Sequence, residues 1–160
     1  MATPERVIEL TPAVEWLEYV RRCSARIAVL GPEIKGLEHA WKNMLPWQVS
    51  GSGGGSANVH SDPTATSAFA RIEGLEKMLA EKTEEFERSS DVVAECGLML
   101  HDMSCVLGAR YARVLELYYI DLAETWTDVA YEMGKHRDTI RAWRKEAIAW
   151  IDANSARYLL

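Results

Sequence analysis

The sequence predicts an all-α protein, a long N-terminal antiparallel helical hairpin followed by a C-terminal helix-turn-helix, and three observations carry that expectation. Apolar residues recur three and four apart along 12–46 and again along 63–107, the spacing that places them on one face of a helix. A Gly- and Ser-rich segment separates the two stretches. Beyond them, the run TWTDVAYEMGKHRDTIRAWRK, from Thr125 to Lys145, divides at Gly134 into two short amphipathic pieces.

The first helix is expected to begin at Thr11-Pro12. Thr11 serves as N-cap, Pro12 sits where its missing amide costs nothing, and Glu15 complements the helix N-terminus. Val14, Leu17, Val20, Ile27, Leu30, Ile34, Leu37, Trp41 and Met44 then form the apolar stripe, up to Pro46. Pro32 lacks an amide donor and crowds the preceding turn, so Gly31-Pro32 predicts a kink or short break. Residues 48–62 read as a flexible connector. Asp62-Pro63 repeats the start signal for the second helix, whose stripe runs through Phe69, Ile72, Leu75, Leu79, Phe86, Val93, Cys96, Leu100, Met103 and Leu107. Its other face is rich in Glu between Glu73 and Glu87, and Ser89-Ser90-Asp91 is a second candidate interruption. Two such helices most economically cover each other's stripes as an antiparallel pair. This gives 1–107 as the hairpin and 108–160 as a DNA-binding domain, which opens with a further helix over Tyr111 to Ile120.

Within that domain, Trp126, Val129, Ala130 and Met133 share a face before Gly134, and Ile140, Trp143, Ala147 and Ile148 continue the stripe after it. A small residue at Ala130 lets a second helix cross closely, and Gly134 supplies the turn. The second helix carries Arg137, Arg141, Arg144 and Lys145. Arg137, Arg141 and Lys145 fall mainly away from the stripe, where a recognition helix meets DNA. The tryptophans Trp126, Trp143 and Trp150 read as core.

Charge sharpens this. The net charge is -6, yet residues 108–160 carry eight basic and eight acidic groups, while residues 51–107 carry four and ten. The negative charge sits in the middle of the chain, and a neutral C-terminal segment implies modest DNA affinity that a dimer or a partner would raise. Three cysteines without CxxC spacing indicate neither a disulfide framework nor a zinc ribbon and fit a reducing cytoplasm. Cys96 is rotated off the face shared by His101 and Cys105, so those three do not form a metal set. No membrane span, no cofactor motif and no catalytic signature is present in the sequence, so the expectation is a non-enzymatic cytoplasmic protein.

The run RVLELYYIDLAETWTDVAYEMGKHRDTIRAWRKEAIAWI resembles region 4 of sigma-70-type factors, through Arg113, Leu115, Tyr119, Ile120, Trp126, Val129, Ala130, Gly134, Thr139, Ile140 and Ala147. The whole layout, with Ser61-Asp62-Pro63 closing a Ser/Gly-rich segment, resembles short phage and prophage proteins related to late transcription regulators of the RinA and ArpU type. The resemblance implies a transcription regulator whose partners are double-stranded DNA and bacterial RNA polymerase, working as a homodimer if one recognition helix binds too weakly. Two positions depart from the family pattern: Lys135 stands where an apolar residue is usual, and His136 replaces the usual Ser or Thr cap, which predicts a less well fixed helix start.

The expected DNA-binding residues are therefore Lys135, His136, Arg137, Asp138, Arg141, Arg144 and Lys145. Arg141 is the candidate for bidentate guanine readout, Lys135, His136 and Arg144 lie nearer the backbone, and Asp138 suits either cytosine N4 or helix capping. Two readings from other classes compete with regulation: a phage assembly or DNA-packaging component resembling a small terminase, and a protein-binding module that keeps the fold.

Overall fold

The computed structural model describes residues 11–44 and 63–158, with side chains from residue 66 in the second stretch; the expected connector 48–62, Pro46, Trp47 and Asp62 lie outside them. The described residues are mainly helical, with no strand among them. In chain order they form α1 (Pro12–Met44), α2 (Pro63–Val106), α3 (Ala109–Leu115) running into a π-helical segment (Glu116–Ile120), α4 (Trp126–Met133), α5 (Arg137–Ala153) and the short α6 (Ser155–Tyr158).

Helix α1 starts as its sequence dictates: Pro12 is the first helical residue, and the Val14 amide points at Thr11 Oγ1 at 3.4 Å. A second cap comes from far along the chain, since the Ala13 amide donates to Asp152 Oδ1 of α5 at 3.2 Å. Neither expected interruption breaks a helix. Pro32 lies inside α1 and Ser89-Ser90-Asp91 inside α2. Only the Ala28 carbonyl loses its partner to Pro32, a local cost that the rest of a 33-residue helix absorbs. Ser89 is buried, and its small side chain suits a packed helix face.

The described residues divide into two compact units: 11–26 with 89–158, and 27–44 with 63–88. The division falls inside α1 and α2 because the start of α1 and the end of α2 bury their stripes in a common core with the C-terminal helices. That core joins Ala13, Leu17 and Val20 of α1 to Cys96, Met99, Leu100 and Met103 of α2, and to Tyr111, Leu115, Tyr119, Ala147 and Ile151. Cys96 is so enclosed that burial, with Glu116 adding to it, pushes its thiol up to about 12.

In the second unit the helices run antiparallel. Glu33 Oε2 accepts from Lys82 Nζ at 2.6 Å, and Glu76 Oε1 accepts from Trp41 Nε1 at 3.1 Å, so partners on α2 fall in number as those on α1 rise. Its core is thin: among the described residues of this unit Leu30 is buried, whereas Ile34, Leu37, Ile72, Leu75, Leu79 and Phe86 are half-buried. Phe69, expected on the stripe, is 60% exposed.

Gly108 joins α2 to α3 at φ +122°, a conformation that side-chain-bearing residues rarely adopt. Helix α3 packs along α5. The Tyr111 and Trp143 rings meet edge to face at 6.2 Å, and the Arg110 guanidinium lies 5.0 and 5.1 Å over them. The π-helical segment ends with Asp121 donating back to the Glu116 carbonyl and Ala123 to that of Leu117. Arg113 holds the segment from outside, donating to Glu116 at 3.0 Å and Asp121 at 3.1 Å. Those two carboxylates, the Glu116 hydrogen bond foremost, raise its guanidinium pKa further.

Candidate functional site

The region from Thr125 to Lys145 is positioned by a chain of local devices. Thr125 and Asp128 form a reciprocal capping box: Asp128 N donates to Thr125 Oγ1 at 3.2 Å, and Thr125 N donates to Asp128 Oδ2 at 3.0 Å. The T-x-x-D spacing carries that signal openly. Helix α4 then closes at Gly134, whose φ of 62° and ψ of 36° are left-handed. The Gly134 amide donates to the Tyr131 carbonyl at 3.1 Å and the Lys135 amide to that of Ala130 at 3.0 Å. This is the two-bond Schellman closure, which usually places an apolar side chain at the position Lys135 occupies. With Lys135 there, the closure keeps its hydrogen bonds and forgoes an apolar contact.

His136 caps α5. Its Nδ1 accepts from the Asp138 amide at 3.2 Å, which requires the tautomer protonated at Nε2. The expected loosening of the helix start is therefore offset by a side-chain cap of unusual type. Asp138 is engaged through its amide rather than as a cap of its own; its carboxylate lies 3.4 Å from His136 Nδ1 and 3.8 Å from Arg141 Nη1.

Beneath the turn, Val129 and Ala130 of α4 pack with Ile140 of α5 and with Val114 and Leu117, and Trp126, Met133 and Trp143 close the edges. The small side chain of Ala130 sits at this crossing, as its position predicts. Trp126 stacks on Tyr118 at 4.0 Å between ring centroids, with the planes only 16° apart.

Of the seven expected site residues, Lys135, His136, Arg137, Asp138, Arg141 and Lys145 are exposed. Arg144 differs. It is partly buried, its guanidinium lies 4.2 Å over the Trp126 ring, and its Nε is enclosed without a hydrogen-bond partner. Nearby, burial pushes the Tyr119 phenol up to about 12, and the Arg144 charge opposes that shift. Helical geometry puts Asp138, Ala142, Lys145 and Ala149 opposite the Ile140–Ala147–Ile151 face. Arg137, Arg141 and Arg144 fall on one flank, where with Trp126, Thr127 and Ile140 they line a cleft.

No family model, curated protein or solved structure matches this chain.

Sequence reasoning missed one residue that organises the region. Arg21 of α1 donates through Nη1 to the Tyr118 carbonyl and through Nη2 to the Ala123 carbonyl at 3.0 Å, while its guanidinium lies 4.1 Å over the Tyr118 ring. It thereby ties down the strand of backbone that leads into α4, including Leu122, which adopts a left-handed φ of 62°. The available signal was a basic residue at the edge of the Val14–Leu17 stripe, four after Leu17.

Proposed function

We propose that the chain is a sequence-specific DNA-binding transcription regulator of phage or prophage type, in which α4, the Gly134 turn and α5 act as a sigma region 4-like helix-turn-helix. The N-terminal helices serve as the hairpin that carries it. The observation that supports this reading best is the character of α5. One face is sunk in the core through Ile140, Ala147 and Ile151, while Arg137, Arg141 and Lys145 are exposed. A helix held rigidly from below and cationic above suits the major groove of duplex DNA.

In this reading Arg141 reads guanine, Lys145 and Asp138 face the base edges beside it, and Lys135 and His136 approach the backbone at the leading end of α5. Two copies on half-sites one helical turn apart would supply the affinity that a neutral C-terminal segment lacks, and bacterial RNA polymerase is the partner through which binding would become regulation. The test is a duplex series against Arg141→Ala. The variant should lose about 1–3 kcal/mol at a single base pair and relax preference there; equal discrimination by parent and variant at every position would remove Arg141 as the reader.

A further inference from the structure

We infer that the cleft between the first turn of α4 and the leading turns of α5 is a seat for one phosphate group, supplied by the backbone of duplex DNA. This rests on the DNA-binding reading for the source of the phosphate, and on the cleft itself for the anion. Trp126, Thr127, Arg137, Ile140, Arg141 and Arg144 line a space of about 220 Å³. That is below the roughly 300–1,000 Å³ of clefts that take drug-sized ligands, and suits a small group.

The electrostatics point the same way. Three guanidiniums line one small cleft, and no carboxylate lines it, in a protein with a net charge of -6. Asp138 stands 3.8 Å from Arg141 Nη1, beyond hydrogen-bond reach, and both side chains are about three-quarters exposed. Among the described residues no ion pair engages Arg137 or Arg144. A bound oxyanion removes the mutual repulsion and accepts charge-assisted hydrogen bonds from several directions. Trp126 and Ile140 form an apolar wall that limits screening, and Trp126 and Thr127 are the first residues of α4, the end of a helix that favours anions.

Arg144 is the pre-positioned member. Its guanidinium lies 4.2 Å from the centre of the Trp126 ring and its Nε is enclosed, so the group is held against the cleft wall. Arg137, exposed, completes the seat from the rim, and Arg141, also exposed, flanks it on the side of the bases. A phosphate held here fixes the rotation of α5 about its axis and so decides which side chains face the bases.

The test uses the full chain. Arginine Nε–H resonances are followed by NMR during titration with inorganic phosphate at constant ionic strength, and duplex binding is measured against salt. The Arg144 resonance should shift saturably, and Arg137→Gln, an exposed change that leaves the core intact, should weaken phosphate binding severalfold. Arg137→Gln and Arg144→Gln should each reduce the salt slope of duplex binding by about 1. If phosphate leaves the Arg144 resonance unmoved, the seat is overturned. A shift with phosphate but no retention of any duplex at low salt keeps the seat as a free-anion site and rejects the DNA reading. Duplex binding with an unchanged salt slope in Arg137→Gln rejects the assignment to the DNA backbone.

Discussion

Arg21 offers the sharpest test of how the α4–α5 region is held in place. Changing it to Ala removes two charge-assisted hydrogen bonds, to the Tyr118 and Ala123 carbonyls, and the guanidinium stacked on Tyr118. Hydrogen bonds involving a charged group contribute about 1.5–3 kcal/mol each. Arg21 is only partly buried, so water recovers part of the loss at the carbonyls. About 2–4 kcal/mol in all is the expected cost, with the ring contact adding about 0.5–1 kcal/mol of that at a site this exposed. Arg21→Lys separates charge from shape. One ammonium cannot reach two carbonyls as a planar fork does, so Lys should recover less than half of the loss. The assay is urea unfolding of the full chain, read as a lower midpoint at unchanged slope, together with amide exchange at Asp121 and Ala123. Those two amides close the π-helical segment, and they should exchange faster in Arg21→Ala while the amides of α2 do not. A loss under about 0.5 kcal/mol, or a Lys variant equal to the parent, would refute the clamp.

Other outcomes follow from single contacts. Gly134→Ala meets no atom within 4 Å, so its cost is backbone strain alone, about 1 kcal/mol by urea unfolding; Gly134→Asn, which tolerates the left-handed region, should cost less. Thr125→Ala breaks the capping box and should cost about 1 kcal/mol, visible also as faster exchange at the Asp128 amide. Ile140→Ala, at 1% exposure under the turn, should cost about 2–5 kcal/mol. Alkaline pH should destabilise the fold. The neutral forms of Cys96 and Tyr119 are held in the core with their pKa values raised to about 12, so their contribution is complete below about pH 9 and is lost as pH rises towards 12. Each group adds up to about 1.4 kcal/mol per pH unit between its unfolded and folded values. Cys96→Ala should flatten the earlier part of that decline, above pH 9, while a decline of parental steepness there would reject Cys96 as its source.

Much of the architecture was legible because helices announce themselves locally. Thr11-Pro12, the spacing of the apolar stripes, and Gly134 between two short amphipathic pieces are patterns within a few residues of each other, and the structure forms helices over each. What local pattern overstated was interruption. Pro32 and Ser89-Ser90-Asp91 are weak points of an isolated helix, yet α1 and α2 run through them, with Leu30 buried just before Pro32 and Ser89 itself buried. The π-helical turn at Glu116–Ile120 and the left-handed Leu122 left no mark in composition or spacing. Arg21 acts across 102 residues and Asp152 across 139, and contacts of that range are invisible to periodicity.

The site divides in the same way. The exposure of Arg137, Arg141 and Lys145 follows from the stripe of Ile140, Trp143 and Ala147, and the sequence places it directly. The partial burial of Arg144 does not, because it depends on where Trp126 comes to rest, and that depends on α4 and its cap. His136 was expected to weaken the start of α5, since imidazole is rare as a cap; one ring nitrogen nonetheless accepts the Asp138 amide.

The central claim, that α5 reads DNA, is tested most directly by selecting fragments of the source genome on the full-length protein at moderate salt. Enrichment of one upstream sequence by the parent is expected, with preference relaxed at a single base pair in Arg141→Ala. Uniform recovery of all fragments, or retention of none at low salt, would contradict it.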